Sequence, residues 1–148
     1  MYVMSMLAIV VLAPAAVCPE PAKPCLGFKP NDLSFALPTD GKARAEVKSA
    51  PFFAVILRTT EKCKLTEAER VEAQALFPEH KVFATTFECD SNDENNVTYT
   101  GVSAQHGFLA VYAGPDKATA EKMLAKVKAL KKFPGANLRK MQVVLVYS

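Results

Sequence analysis

Hydrophobic positions along the chain fall into short runs whose period switches between two and about 3.6. Phe52 to Leu57 is an apolar run of strand length, closed by the polar stretch Arg58 to Lys62. Thr66-Glu67-Ala68-Glu69 has the spacing of a capping box, in which the threonine side chain accepts from the Glu69 amide and the glutamate reaches back. Ala68, Val71 and Ala75 then recur at i, i+3 and i+7, which predicts one buried face on a helix that Pro78 ends. Lys81 to Phe87 alternates Val82, Ala84 and Thr86 against Phe83, Thr85 and Phe87, a strand with one aromatic face. Beyond the polar turn Ser91 to Asn96, Val97 to Val102 and Phe108 to Ala113 read as strand material separated by Ser103 to Gly107. Gly114-Pro115-Asp116 stops the strand and places Asp116 to cap the next helix. That helix carries the clearest apolar stripe in the chain, Ala120, Met123, Leu124, Val127 and Leu130, and Phe133-Pro134-Gly135 closes it. Met141 to Tyr147 reads as one continuous apolar strand.

The predicted order is β-α-β-β-α-β, an α+β domain. Helices with a single apolar face should cover one side of a four-stranded antiparallel sheet and leave the other side open to solvent or a ligand. Side chains alternate along a strand, so Phe108, Ala110 and Tyr112 share one face while Leu109, Val111 and Ala113 share the other. Leu109, Val111 and Ala113 suit the helix-covered side. Phe108 and Tyr112 are then expected on the open side, where Phe83, Phe87 and Tyr99 are further ring candidates. Sugar rings stack on such aromatic faces through their C–H bonds.

Ahead of this domain, Met6 to Val17 is apolar but shorter than the roughly 20 residues that span a bilayer. It fits the hydrophobic part of a secretory signal, with Ala13-Pro14-Ala15 as small residues at a cleavage site. Met1 to Ser5 carries no Lys or Arg, so the usual positive n-region is absent, and the expectation is either a true start upstream or a segment that stays uncleaved as an anchor. Pro19, Pro21, Pro24, Pro30, Pro38 and Pro51 mark a proline-rich linker, with Leu33 to Leu37 as a short strand that docks on the domain. The expected organisation is a signal segment over 1–17, a linker over 18–51 and the domain over 52–148. These segments imply a periplasmic or secreted location, with the membrane met only through the signal segment.

The cysteines agree with export. Cys18, Cys25, Cys63 and Cys89 are the 4 cysteines of the chain, with no C-x-x-C pair and no histidine at zinc-ligand spacing. The sequence leaves all pairings open. In a split βαβ arrangement the ends of the first two strands share one edge, which makes Cys63 with Cys89 sterically reasonable and leaves Cys18 with Cys25. Net charge changes little: +3 is too small to announce a polyanion, although Lys122 to Lys140 is locally basic. His80 and His106 have no partnered nucleophile or acid, and no phosphate loop, hydrolase elbow or zinc motif occurs. No enzyme activity, metal or cofactor is expected.

With the elements in this order, the domain resembles a SPOR domain, the bacterial envelope module that binds peptidoglycan. The similarity spans about Phe52 to Tyr147 and is best in FLAVYAGPDKATAEKMLAKVKAL, Phe108 to Leu130, with FFAVILRTT as the first strand. The resemblance implies a ferredoxin-like fold and recognition of glycan strands stripped of stem peptides at sites of wall division. It places ligand contacts at Phe108, the aromatic that begins the third strand, and at Thr59, where the family has a serine. The family's glutamine, glycine and arginine fall on Ile56, Arg58 and Ala110, so polar glycan contacts are missing. The expected site is therefore Phe108, Thr59 and Tyr112, and the expected partner is the glycan strand of peptidoglycan. The alternative is a secreted, disulfide-stabilised protein-interaction or inhibitor module that meets an envelope protein. HGFLAVYA is loosely similar to the third-strand motif of RRM-type RNA-binding domains, but Leu109 and Ala110 depart from it and export argues against nucleic acid.

Overall fold

Strand β2 (Phe52–Glu61) is the axis of the fold because its first half is apolar on both faces. Phe52, Ala54 and Ile56 enter one core while Val55 and Leu57 enter another. The structure is a computed structural model that describes residues 45–85 and 97–146. The signal segment, most of the linker including Leu33 to Leu37, Cys18, Cys25, Cys89 and the end of the expected second strand lie outside the described residues.

The remaining elements are β1 (Glu46–Lys48), α1 (Glu67–Leu76), β3 (Val82–Ala84), β4 (Val97–Tyr99), β5 (His106–Gly114), α2 (Lys117–Ala129), β6 (Asn137–Met141) and β7 (Val143–Val146). A four-stranded sheet runs β3-β5-β2-β6 with every pair antiparallel. Taken with α1 and α2 on one face, that is the ferredoxin-like βαββαβ arrangement. Val55, Leu57, Leu109, Val111 and Ala113 meet Ala73, Ala120, Met123 and Val127 in the core beneath the helices.

Both helix starts obey local chemistry. Thr66 and Glu69 form the reciprocal capping box, with Thr66 Oγ1 accepting from Glu69 N and Thr66 N donating to Glu69 Oε2. Asp116 caps α2 by accepting from the Thr119 amide at 2.8 Å. The Thr119 hydroxyl and amide hold the Asp116 carboxyl below its usual range. A depressed folded-state pKa stabilises above the unfolded value and is lost as pH falls through the folded one. Asp116→Ala should therefore lower the Tm at neutral pH, with a deficit that shrinks below about pH 4, where an unfolded aspartate takes up its proton. Thermal melts of both proteins from pH 7 to pH 2 check this, and a deficit independent of pH would remove the charged cap.

The register of α1 differs from expectation. Ala68, Val71 and Ala75 are exposed, and the buried face is Arg70, Ala73 and Phe77. Arg70 is tolerated there because Nε and Nη2 both donate to Glu67, and Nη1 donates to the Val82 carbonyl. In α2 the stripe is narrower than expected: Ala120, Met123 and Val127 are buried, Leu124 is half-buried and Leu130 is exposed.

A second sheet, three-stranded in the order β1-β7-β4, is not expected from the sequence pattern. Its first strand falls inside the segment expected to be linker, where Glu46, Val47 and Lys48 pair with β7. Its centre comes from the expected last strand, which breaks at Gln142 so that β6 stays in one sheet and β7 enters the other. The break is held by polar bonds. Gln142 N donates to Thr100 Oγ1, Gln142 Nε2 donates to the Ser49 carbonyl, and Val143 N donates to Ser49 Oγ. Strands that change sheets at such corners leave the backbone groups of the corner to be satisfied by side chains.

The second sheet lies on the face expected to be open. Phe52, Ala54, Ile56, Phe83, Phe108, Ala110, Met141 and Val143 form one apolar cluster there, with Tyr99 and Tyr112 packed against it. Phe83 is fully buried at the centre, 5.8 Å from the Phe108 ring and 5.7 Å from the Tyr99 ring.

Candidate functional site

At one end of this interface the two layers separate into a cleft of about 300 Å³. Its lining comes from four places: Ile56 and Thr59 on β2, His106 to Phe108 on β5, Asn137 and Arg139 on β6, and Gly101 to Ser103 on the loop after β4.

Thr59 reaches the cleft because of a β-bulge. Strict alternation would put it with Val55 and Leu57 beneath the helices. Between Ile56 and Arg58 the strand β2 advances two residues while β5 steps only from Ala110 to Leu109. The extra residue reverses the parity of the rest of the strand. Arg58 then turns to the helix side, where its Nη1 pairs with Glu69 Oε1, and Thr59 comes opposite Phe108 on the cleft side.

The loop that roofs the cleft is pinned. Thr100 N donates to the Gln142 carbonyl at 3.0 Å, and Gln142 N returns a bond to Thr100 Oγ1. Gly101 adopts φ of 78°, and a Cβ built on it would stand 2.3 Å from the Lys140 carbonyl oxygen. Only glycine allows both that backbone and that approach. Ser103 Oγ accepts from Gln105 N and lies 3.2 Å from His106 Nδ1.

On the β6 side, Asn137 and Arg139 are two residues apart and share a face. Arg139 Nε donates to Asn137 Oδ1 at 2.8 Å, and Asn137 Nδ2 donates to the Gly135 carbonyl. The amide thus fixes the plane of the guanidinium. No other partner among the described residues engages its two terminal nitrogens.

Of the three residues expected to bind ligand, the structure brings Thr59 and Phe108 together and leaves Tyr112 apart. Phe108 is only 2% exposed, held edge-on by Phe83 and Tyr99, so it forms the floor of the cleft and offers no free face for a sugar to stack on. Tyr112 lies four positions along β5, about 13 Å away at strand rise. It packs on Phe52 at 5.4 Å, and burial pushes its phenol up. The expectation of rings on an open face fails for Phe108 because the second sheet covers that face. Ser103, His106, Asn137 and Arg139 are neighbours that the sequence pattern does not anticipate. The alternation of Asn137 and Arg139 on one strand is the available signal.

Cys63 sits in the turn closed by Lys64 N donating to the Glu61 carbonyl, with φ of 64°. Left-handed backbone is disfavoured for a residue with a Cβ. Cys63 is disulfide-bonded, and its partner lies outside the described residues. Among the described residues no cluster of His, Cys, Asp or Glu is placed to hold a metal ion, and no helix is long and apolar enough to cross a membrane.

Compared with protein-family models, curated proteins and solved structures, the chain matches none.

Proposed function

We propose that this chain is an exported binding module of the bacterial cell envelope that holds one sugar residue of a peptidoglycan glycan strand in the cleft. The observation that carries this reading is the convergence of hydrogen-bonding groups on one concave site. A hydroxyl comes from Thr59, a second from Ser103 on the pinned loop, and an amide and a guanidinium from Asn137 and Arg139. About 300 Å³ is at the small end of ligand pockets, which suits a single ring with the rest of the strand running over the surface. Recognition rests on these polar groups, since the Phe108 ring is already used in the core.

Binding without turnover fits the same geometry. A serine hydroxyl beside a histidine is the start of a nucleophile and base pair. Here the Ser103 hydroxyl is tied into its own turn by Gln105 N. Glu61, opposite His106 on β2, does not line the cleft.

The test is co-sedimentation of the full chain with purified peptidoglycan, before and after amidase removal of stem peptides. Wild type should sediment, and more strongly on amidase-treated material. Thr59→Val keeps the shape of an exposed strand residue and removes one hydroxyl, so binding should weaken by roughly fivefold, about 1 kcal/mol, with an unchanged melt. Wild type that stays in the supernatant would discard the glycan and leave the protein-interaction module in its place. Equal binding by Thr59→Val would move the site away from the cleft.

A further inference from the structure

The electrostatics of the cleft narrow its ligand further. Among the described residues that line it, Arg139 is the only one with a fixed charge, and none is acidic. The guanidinium is oriented by the Asn137 side chain through Nε, and its terminal nitrogens have no partner among the described residues. A planar pair of donors held in this way matches the two oxygens of a carboxylate. Thr59 and Ser103 add hydroxyls on the β2 and loop sides, where the ring hydroxyls of a sugar would meet them.

We propose that the cleft selects a sugar acid, with Arg139 binding its carboxylate and the Thr59 and Ser103 hydroxyls binding the ring. This rests on the glycan reading above and makes it specific. Amidase cleavage of a stem peptide frees a carboxylate on the sugar, so the stripped strand carries the group that Arg139 would recognise. An intact stem peptide removes that charge by forming an amide.

The experiment uses the full chain and three probes of matched length: stripped glycan strands, the same strands with their carboxylates reduced to alcohols, and uncharged N-acetylglucosamine oligomers. Free glucuronate, followed by chemical-shift changes at Thr59, Ser103 and the Arg139 Nε, is a fourth. Wild type should prefer the stripped strand over its reduced form by at least about tenfold, the size of one charge-assisted bond. Arg139→Gln should bind both forms equally and weakly, Arg139→Lys should restore part of the preference, and glucuronate should shift the cleft signals.

Equal binding of stripped and reduced strands by wild type would overturn the acid while leaving the glycan reading intact. Failure of every strand to bind, with glucuronate still shifting the three signals and Arg139→Gln abolishing those shifts, would keep the carboxylate site and remove the polymer. No response to any of the four probes would remove both.

Discussion

Phe83→Ala should destabilise the protein by about 3–5 kcal/mol, the range for removing a fully buried phenylalanine ring. Phe83 is 0% exposed, and its ring contacts Phe52, Tyr99 and Phe108. Those partners come from β2, β4 and β5, so the ring joins the ferredoxin-like sheet to the smaller one across their shared core. Deleting it leaves a void between two sheets that cannot close without moving Gln142 and Ser49, whose hydrogen bonds fix the corner. The partial collapse such a corner permits accounts for the upper part of the range. Phe108→Ala should fall in the same class, because Phe108 is 2% exposed and meets the Phe83 and Tyr99 rings. Equilibrium denaturation of both variants reads this directly. A ring on an uncovered sheet face would cost well under 1 kcal/mol. That outcome for Phe83→Ala would mean that the second sheet does not cover this face in solution.

Which parts of the fold are legible in the sequence depends on the range of the interactions that determine them. The caps at Thr66 and Asp116 are decided within three residues, and both are readable. The stripe of α2 is readable because Ala120, Met123 and Val127 meet one continuous apolar surface. The α1 register escapes the pattern because a charged residue occupies the buried face. Arg70 is admitted there only through Glu67 and the Val82 carbonyl, a pairing that hydrophobic periodicity does not register. The second sheet escapes it for a different reason. Its strands Glu46–Lys48, Val97–Tyr99 and Val143–Val146 are short and distant in sequence, so no local pattern links them. The one clue is Gln142, a polar residue within an apolar run, which marks where the chain changes sheets.

The cleft is half legible. Thr59 and Phe108 are expected from the sequence, and they do meet, as opposed residues on β2 and β5. Thr59 is singled out only through a family resemblance, while strand alternation alone would turn it beneath the helices. The bulge after Ile56 decides its direction, and a bulge has no reliable signature in a run as uniformly apolar as Phe52 to Leu57. Arg139 stands out in the sequence only as one of several basic residues near the C-terminal end. Its place beside Asn137, with Nε engaged and its remaining donors facing a cleft without carboxylates, depends on pairing with β2 across a long sequence interval.

Val127→Asp should unfold the protein at neutral pH. Val127 is 0% exposed in the core beneath the helices, on the face of α2 that meets β2 and β5. An aspartate there loses the transfer energy of the isopropyl group and must also bury a carboxylate or carry a proton at neutral pH. Neither Arg58 nor Arg70, the arginines of the helix layer, is available to pair it, since Glu69 and Glu67 already hold them. A loss of several kcal/mol is a large part of the roughly 5–15 kcal/mol that keeps a domain folded. Because burial raises the folded-state pKa of the introduced carboxyl, its deficit relative to wild type should be greatest at pH 7 and shrink as pH falls toward 4. Leu124→Asp, three positions earlier on the same stripe, should cost much less, since Leu124 is only half-buried and a carboxylate there reaches water. Circular dichroism melts of the two variants at pH 7 and pH 5 distinguish the positions. If Leu124→Asp proved the more damaging, the α2 face that meets the sheet would be rotated toward Leu124, and the packing of Val127 against β2 and β5 would be wrong.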